Sequence, residues 1–200
     1  MSRPKKLSDS DLLHVAYDVS SREGFDSFTL KQVARSANMT PAAVIKRFKS
    51  KDNLVYLARR HRWESNLGQF DSGADENFRG LQGLTHFVSL IAKCVDSKRL
   101  AEHAVAFGAD AKDVGTRRNV AGYFEATRAT IGRLLDEAIA KDELVFTGDT
   151  VQLAFTLEAL IQGSIFQFAF LREIGIERHL QSHVEILLSP YKRRESDSAR

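Results

Sequence analysis

Residues 36–48 read SANMTPAAVIKRF, and this short stretch decides the fold. Asn38 stands where one helix is expected to end, because asparagine tolerates the left-handed backbone conformation that usually requires glycine. Thr40 can accept a hydrogen bond as the N-cap of the next helix, and Pro41 at its first position has no N–H to leave unpaired. The stretch therefore predicts two helices joined by a tight turn, the second of which begins on small residues.

The flanking segments carry helix signals of the same kind. Ser8 begins a helix that Gly24 ends, and Thr29 with Gln32 forms a capping box at the start of the next one. Ser50 is placed to cap a helix that directly follows the quoted stretch. Four helices in the first 70 residues, with a tight turn between the second and third, are therefore predicted.

Positive charge is concentrated in the same part of the chain. Residues 1–62 contain 13 Lys and Arg against 6 Asp and Glu, although the whole chain has a net charge of only +3. A basic end beside a mildly acidic remainder indicates a polyanionic partner for that end. A solvated basic surface without a partner would give the same count.

Two helices joined by a tight turn on a basic unit are typical of a DNA-binding helix-turn-helix. Val44 and Phe48 are four residues apart and should face the core, which leaves Lys46 and Arg47 pointing outward. The recognition helix of such a motif enters the major groove with its N-terminal end leading. Small residues at that end let the backbone approach the DNA, and its free N–H groups favour phosphate.

The remaining sequence predicts an all-α protein. Three prolines, at positions 4, 41 and 190, leave most of the chain free to form helix, and no segment alternates as a strand does. The loop sequence DSGADEN at 71–77 marks a boundary. We expect a helix-turn-helix DNA-binding domain at 1–50, a linking helix at 51–70, a ligand-binding and dimerisation domain at 71–191, and a flexible tail at 192–200.

The sequence also favours a cytoplasmic protein. It begins without the features of a signal peptide, and its single cysteine, Cys94, permits no internal disulfide. The apolar run from Leu153 to Leu171 is nearly long enough to span a membrane, but Glu158 interrupts it. A helix buried on several faces is the better interpretation.

Residues 29–60, TLKQVARSANMTPAAVIKRFKSKDNLVYLARR, resemble the DNA-binding segment of TetR-family transcriptional regulators. The shared features are the threonine that opens the second helix, the small residues before the turn, and the Ser-Lys-Asp-x-Leu signal at 50–54. Carried over by position, the resemblance implies DNA contacts from Thr29, Lys31, Thr40, Pro41, Ala42, Ala43, Lys46, Arg47 and Lys51. It differs from the family in having Asn38 in place of the common glycine and Ile45 in place of the common aromatic residue.

The resemblance also implies what the C-terminal part does. Family members usually form homodimers through their last two long helices, bind palindromic double-stranded operators, and release DNA when a small-molecule effector binds. Phenylalanines recur through this part of the chain and, with a few polar residues, predict an apolar pocket, although ordinary core packing would explain each ring alone. The predicted ligand-binding residues are Phe87, Ile91, His103, Phe107, Tyr123, Phe124, Arg128, Gln162 and Phe166.

Other functional classes have little support in the sequence. We expect no enzyme, cofactor or metal site, because no phosphate loop, nucleophile elbow or cluster of metal ligands is found. His179 and His183 have a spacing that can bind metal, but a surface or interface pair is the simpler interpretation. The alternative to a ligand-responsive repressor is a small-molecule carrier or enzyme with a basic helical N-terminal module.

Overall fold

The protein is all-helical wherever its structure is described. This computed structural model describes residues 7–24, 27–68, 79–95, 100, 111, 114–171 and 175–193. No strand occurs in these ranges; one isolated bridge pairs Leu144 with Lys192. The helices are α1 (Asp9–Glu23), α2 (Leu30–Ser36), α3 (Pro41–Phe48), α4 (Lys51–Gly68), α5 (Gly80–Cys94), α6 (Val114–Ala140), α7 (Thr150–Leu171) and α8 (Ile176–Leu188). The predicted all-α fold is confirmed, whereas the boundary loop predicted at 71–77 and most of the tail predicted at 192–200 lie outside the described residues.

The chain forms two compact units, Met1–Asn66 with Glu102–Ala121, and Leu67–Ala101 with Gly122–Arg200. In the first unit, α1 to α4 share one apolar core, in which Leu12, Val33, Val44 and Leu54 are completely buried. Phe48 is also buried, so the inward face predicted for α3 is confirmed. Burial of each such side chain contributes about 1.5–3 kcal/mol, and most of the stability of these short helices comes from packing of this kind.

The turn between α2 and α3 has the predicted geometry. Asn38 adopts the left-handed conformation with φ 52°. The N–H of Met39 donates to the carbonyl of Ala34 at 2.7 Å, and the N–H of Asn38 donates to that of Arg35 at 3.1 Å. These two bonds form a Schellman motif, which satisfies carbonyls that the end of α2 would otherwise leave unpaired.

The second unit is built on long helices that pack along one another. α5 begins where the N–H of Leu81 donates to the Glu143 carboxylate at 2.7 Å and the N–H of Gly80 donates to that of Glu137 at 3.1 Å. Carboxylates at a helix N-terminus are stabilising, because the unpaired N–H groups carry partial positive charge there. α8 packs against both α5 and α7.

Helix α7 has two apolar faces but buries only one of them within this chain. Leu157, Ile161 and Phe168 are buried, whereas Phe155 and Phe170 are 52% and 72% exposed. In length and composition α7 would suffice to cross a membrane, but this is weak evidence of a membrane span, because a buried core helix meets the same criteria. The expectation of burial on several faces is therefore met on one side only in the single chain.

Replacing Asn38 by valine should destabilise the first unit, because a β-branched side chain is strained at positive φ. We expect the free energy of unfolding to fall by about 1–2 kcal/mol. Chemical denaturation followed by circular dichroism measures the change. Asn38→Gly is the matched control and should retain wild-type stability; equal loss in both variants would contradict a backbone origin of the effect.

Candidate nucleic-acid interface

The start of α3 exposes its backbone behind very small side chains. The Thr40 hydroxyl accepts a hydrogen bond from the N–H of Ala43 at 3.2 Å and so forms the predicted N-cap. Pro41 and Ala42 are exposed, and Ala43 is half-buried. A large ligand can therefore approach the helix end closely, where the peptide dipoles favour a negative group.

The residues predicted to contact the DNA backbone differ in the contacts that their side chains make within the protein. Lys31 is exposed on α2. Thr29 is also exposed, but its hydroxyl belongs to the capping box, in which it accepts from the Gln32 N–H at 3.3 Å and donates to the Gln32 side chain at 2.8 Å. Lys51 is the first residue of α4, and its ammonium lies 4.4 Å from the centre of the Phe28 ring in a cation–π contact.

Lys46 and Arg47 do not share the outward position predicted for both. Lys46 is exposed. Arg47 turns back toward α1: its Nη2 donates to the carbonyl of Leu7 at 2.7 Å, and its Nε lies 3.2 Å from a carboxylate oxygen of Asp9. The Arg47 side chain is only 20% exposed. The outward orientation predicted for Arg47 is wrong, because spacing along one helix could not reveal the partners that α1 brings to it.

Two basic residues near this surface were missed by sequence reasoning. Lys49 directly follows α3, is exposed and has a positive φ of 71°. Arg35 is exposed at the end of α2. Both contribute to the positive charge of the N-terminal part, but the spacing of apolar residues in the helices does not predict on which face either one lies.

Removing Lys46 should weaken DNA binding uniformly across sequences, because an exposed ammonium acts as a point charge near phosphate. For Lys46→Ala we expect the slope of log K against log salt to fall by about one. Fluorescence anisotropy on one duplex at several salt concentrations measures it. Lys141→Ala, which removes an exposed lysine of the second unit, should leave the slope unchanged; equal reductions would argue against a local effect at α3.

The predicted ligand-binding residues divide by burial. Phe87, Ile91 and Tyr123 are buried in the second unit, and Phe124, Arg128 and Gln162 are half-buried. Phe166 is 56% exposed in the single chain, which does not suit a wall of an enclosed pocket. His103 and Phe107 lie outside the described residues.

A buried carboxylate lies among the polar members of this set. The side chain of Glu158 is 7% exposed, and the guanidinium of Arg128 lies 3.8 Å from its carboxylate. Burial raises the pKa of Glu158, and the charge of Arg128 opposes this shift only in part. One turn further along α7, the amide nitrogen of Gln162 is buried without a hydrogen bond among the described residues. In the sequence, Glu158 is recognisable only as an interruption of an apolar run.

The raised pKa of Glu158 makes the stability of the protein depend on pH. The Glu158 carboxyl group binds a proton more readily in the native state than in the unfolded chain. Its protonation therefore stabilises the native state fully below the pKa of the unfolded chain, and this stabilisation is lost as pH rises through the native pKa. Glu158→Gln should therefore gain stability over wild type as pH rises from about 4 toward neutrality. Thermal melts across this range measure it, with Glu125→Gln on α6 as an exposed control. A constant difference between Glu158→Gln and wild type would contradict the shift.

A separate groove of about 350 Å³ lies between α5 and α8. Its apolar floor includes Leu84, Val88 and Val184, and Arg178 and Glu185 stand at its rim. None of the predicted ligand-binding residues lines it. No group of three side chains suited to hold a metal ion occurs in the described parts of the chain.

Comparison with known proteins gives the same interpretation of the N-terminal unit. Residues 12–56 match the family model of TetR bacterial regulatory proteins at its N-terminal domain. The chain carries a TetR-family DNA-binding domain. The predicted resemblance to TetR-family transcriptional regulators is confirmed, and with it a DNA-binding helix-turn-helix formed by α2 and α3. No curated protein matches the chain in sequence.

Solved structures, among them a TetR-family regulator, share this fold over about nine-tenths of the chain. One is a TetR-family transcriptional regulator from Mesorhizobium loti, with a TM-score of 0.71 and 18% identity over 92% of this chain and 96% of that one. NemR of Escherichia coli in its reduced form has a TM-score of 0.69 and 16% identity over 90% and 97%. FadR of Bacillus subtilis in complex with stearoyl-CoA has a TM-score of 0.64 and 14% identity over 89% of this chain and 96% of that one. At these identities the likeness shows the fold.

Proposed function

We propose that the protein is a ligand-responsive transcriptional regulator, a cytoplasmic repressor that a small molecule releases from a palindromic operator. The observation that carries the proposal is the exposed start of α3, where Pro41 and Ala42 leave the helix end open behind the Thr40 cap. A bundle that served only as a scaffold would have no need of such an end on its basic surface.

The DNA contacts divide by chemistry. The start of α3 would lie in the major groove, where the methyl groups of Ala42 and Ala43 can contact thymine methyls and Thr40 can donate to a base or phosphate. Lys31, Lys46 and Lys51 would contact phosphates, which position the protein without reading sequence. Because so few side chains here can hydrogen-bond to bases, we expect a substantial share of specificity to come from the shape and deformability of the operator.

The unburied side of α7 supports the proposal of a homodimer. Exposed apolar residues occur on both α7 and α8, and we call this set the apolar face: Val151, Phe155, Phe166, Phe170 and Ile186. Large apolar surfaces on a soluble chain mark interaction sites. A two-fold partner on this face would bury the rings and place two recognition helices for two half-sites, which must lie about 34 Å apart or a multiple of it.

The effector would act through the polar cluster of the second unit. Glu158, Arg128 and Gln162 offer an incompletely satisfied acceptor, a cation and a donor beside apolar walls, as small-molecule sites commonly do. Helix α4 follows the recognition helix in the chain and crosses the boundary between the two units at Asn66. A ligand with different affinities for two positions of α4 would change operator affinity by that difference.

Sequencing the DNA fragments that the purified protein selects from a random library tests this function. A regulator should enrich one two-fold symmetric sequence, and its affinity for that duplex should fall steeply with salt. Repeating the selection with candidate metabolites should identify a compound that abolishes enrichment. Binding of every duplex at the same non-specific level would overturn the proposal.

Placing a charge on the apolar face should dissociate the dimer, because an aspartate buried against a second chain would lack compensation. We expect Phe170→Asp to sediment as a monomer and to lose most of its operator affinity while keeping its helical content. Val145→Asp is the matched control, since Val145 is also exposed (59%) but lies in the loop between α6 and α7. A dimeric Phe170→Asp variant would place the interface elsewhere.

A further inference from the structure

Glu158 places a single charge on a long helix that otherwise has none. Residues 150–171 of α7 contain no other Asp, Glu, Lys or Arg. The Glu158 side chain is 7% exposed, and the Arg128 guanidinium lies 3.8 Å from its carboxylate, which is longer than a hydrogen bond. A buried carboxylate is costly unless it is both paired and hydrogen-bonded, and this ion pair alone compensates it only in part.

Two hydrogen-bond donors accompany this carboxylate. The Arg128 side chain is 30% exposed, so a ligand can reach it from solvent, and its guanidinium carbon lies 5.1 Å from the centre of the Phe155 ring. Gln162 follows Glu158 by one turn on the same side of α7, and its amide nitrogen is buried without a hydrogen-bond partner among the described residues. A guanidinium matches the geometry of an oxyanion, and a buried amide donor needs an acceptor. Both donors therefore favour a ligand that brings oxygen acceptors.

The charge of the ligand follows from the neutrality that a buried site favours. Arg128 remains positive at any physiological pH, so only Glu158 can change its charge. With Glu158 ionised, the free pair is neutral, and a cationic ligand would add an uncompensated positive charge. An anionic ligand can pair with Arg128 if Glu158 takes up a proton, and the carboxylic acid then becomes a third hydrogen-bond donor.

The surroundings of Glu158 favour this protonation. Burial raises the pKa of Glu158, and the charge of Arg128 opposes the shift only in part. An anion that pairs with Arg128 would weaken this opposition. The titratable groups that α8 brings to α7 are His179 and His183, which contact Phe168 and Ser164 more than one turn beyond Glu158.

We propose that Arg128, Gln162 and Glu158 bind the carboxylate group of an organic acid, and that Glu158 takes up one proton from solvent when the anion binds. Arg128 pairs with the anion, and Gln162 and the protonated Glu158 donate hydrogen bonds to its oxygens. The inference rests on the effector site proposed above and names the class of its ligand.

The first test compares ligands of one carbon skeleton and different charge. Acetate, hexanoate and benzoate, each beside the corresponding amide and amine, are titrated into the full-length protein by calorimetry. We expect at least one acid anion to bind about tenfold or more tightly than its amide, because the amide cannot pair with Arg128, and we expect the amines not to bind. Binding of none of the anions, or tighter binding of an amide or amine, would overturn the proposal.

The second test counts the proton. Affinity for the anion should fall as pH rises from about 6 toward 9, approaching tenfold per pH unit where Glu158 is ionised in the free protein. Titrations in buffers of different ionisation enthalpy should show a net uptake of protons over the same range. An affinity that does not change with pH, without proton uptake, would contradict the role of Glu158.

Three variants separate the roles of the side chains. Arg128→Gln should abolish anion binding. Glu158→Gln, in which an amide donor replaces the protonated carboxyl, should bind the anion more tightly than wild type at high pH and lose the pH dependence. Gln162→Leu should weaken binding and retain the pH dependence. If thermal melts show that Arg128→Gln does not fold, the double variant Arg128→Gln with Glu158→Gln, which leaves no buried charge, takes its place and should likewise fail to bind.

The matched control is Arg178→Gln, which removes an exposed arginine of the same unit at the rim of the groove between α5 and α8. It should bind the anion as wild type does. Loss of binding in Arg178→Gln and not in Arg128→Gln would place the anion in that groove and overturn the proposal. These titrations contain no DNA, so an anion that binds with the expected proton uptake but leaves operator affinity unchanged would be a failure of the proposed function instead.

Discussion

The hydrogen bond from the Met39 N–H to the Ala34 carbonyl is the contact on which the first unit depends. It ends α2 and turns the chain so that Thr40 can begin α3 only four residues after α2 ends. With so short a connection, Val33 and Val44 enter the same core, and the exposed start of α3 takes its position from them. The exposed start of α3 is thus a consequence of how α2 ends.

The two basic residues of α3 have different surroundings. Lys46 and Arg47 are neighbours in sequence, yet one is exposed and the other pairs with Asp9 of α1. A guanidinium can bind a carbonyl and a carboxylate at once through its planar fork, which a lysine cannot do as well. Arginine is therefore suited to the structural position and lysine to the exposed one, and the basic surface is smaller than a count of charges indicates.

In the second unit, helix α7 combines a buried apolar side, an exposed apolar side and a buried carboxylate. α7 buries Leu157 and Ile161 on one side, exposes Phe155 and Phe170 on the other, and carries Glu158 between them. The buried carboxylate costs stability, as its raised pKa indicates. The Gln162 amide beside it has no hydrogen-bond partner among the described residues, and the two groups together support the ligand site proposed above.

The local signals were readable from the sequence because each depends on near neighbours in the chain. The capping boxes, the left-handed Asn38, the Thr40 cap and the inward Val44 and Phe48 all follow from spacings of five residues or fewer, and the TetR resemblance rested on the same stretch. The two partners of Arg47, Leu7 and Asp9, come much earlier in the chain, and neither they nor the burial of Glu158 beside Arg128 could be read there. Those contacts depend on which helices pack together, and only the tertiary structure decided that.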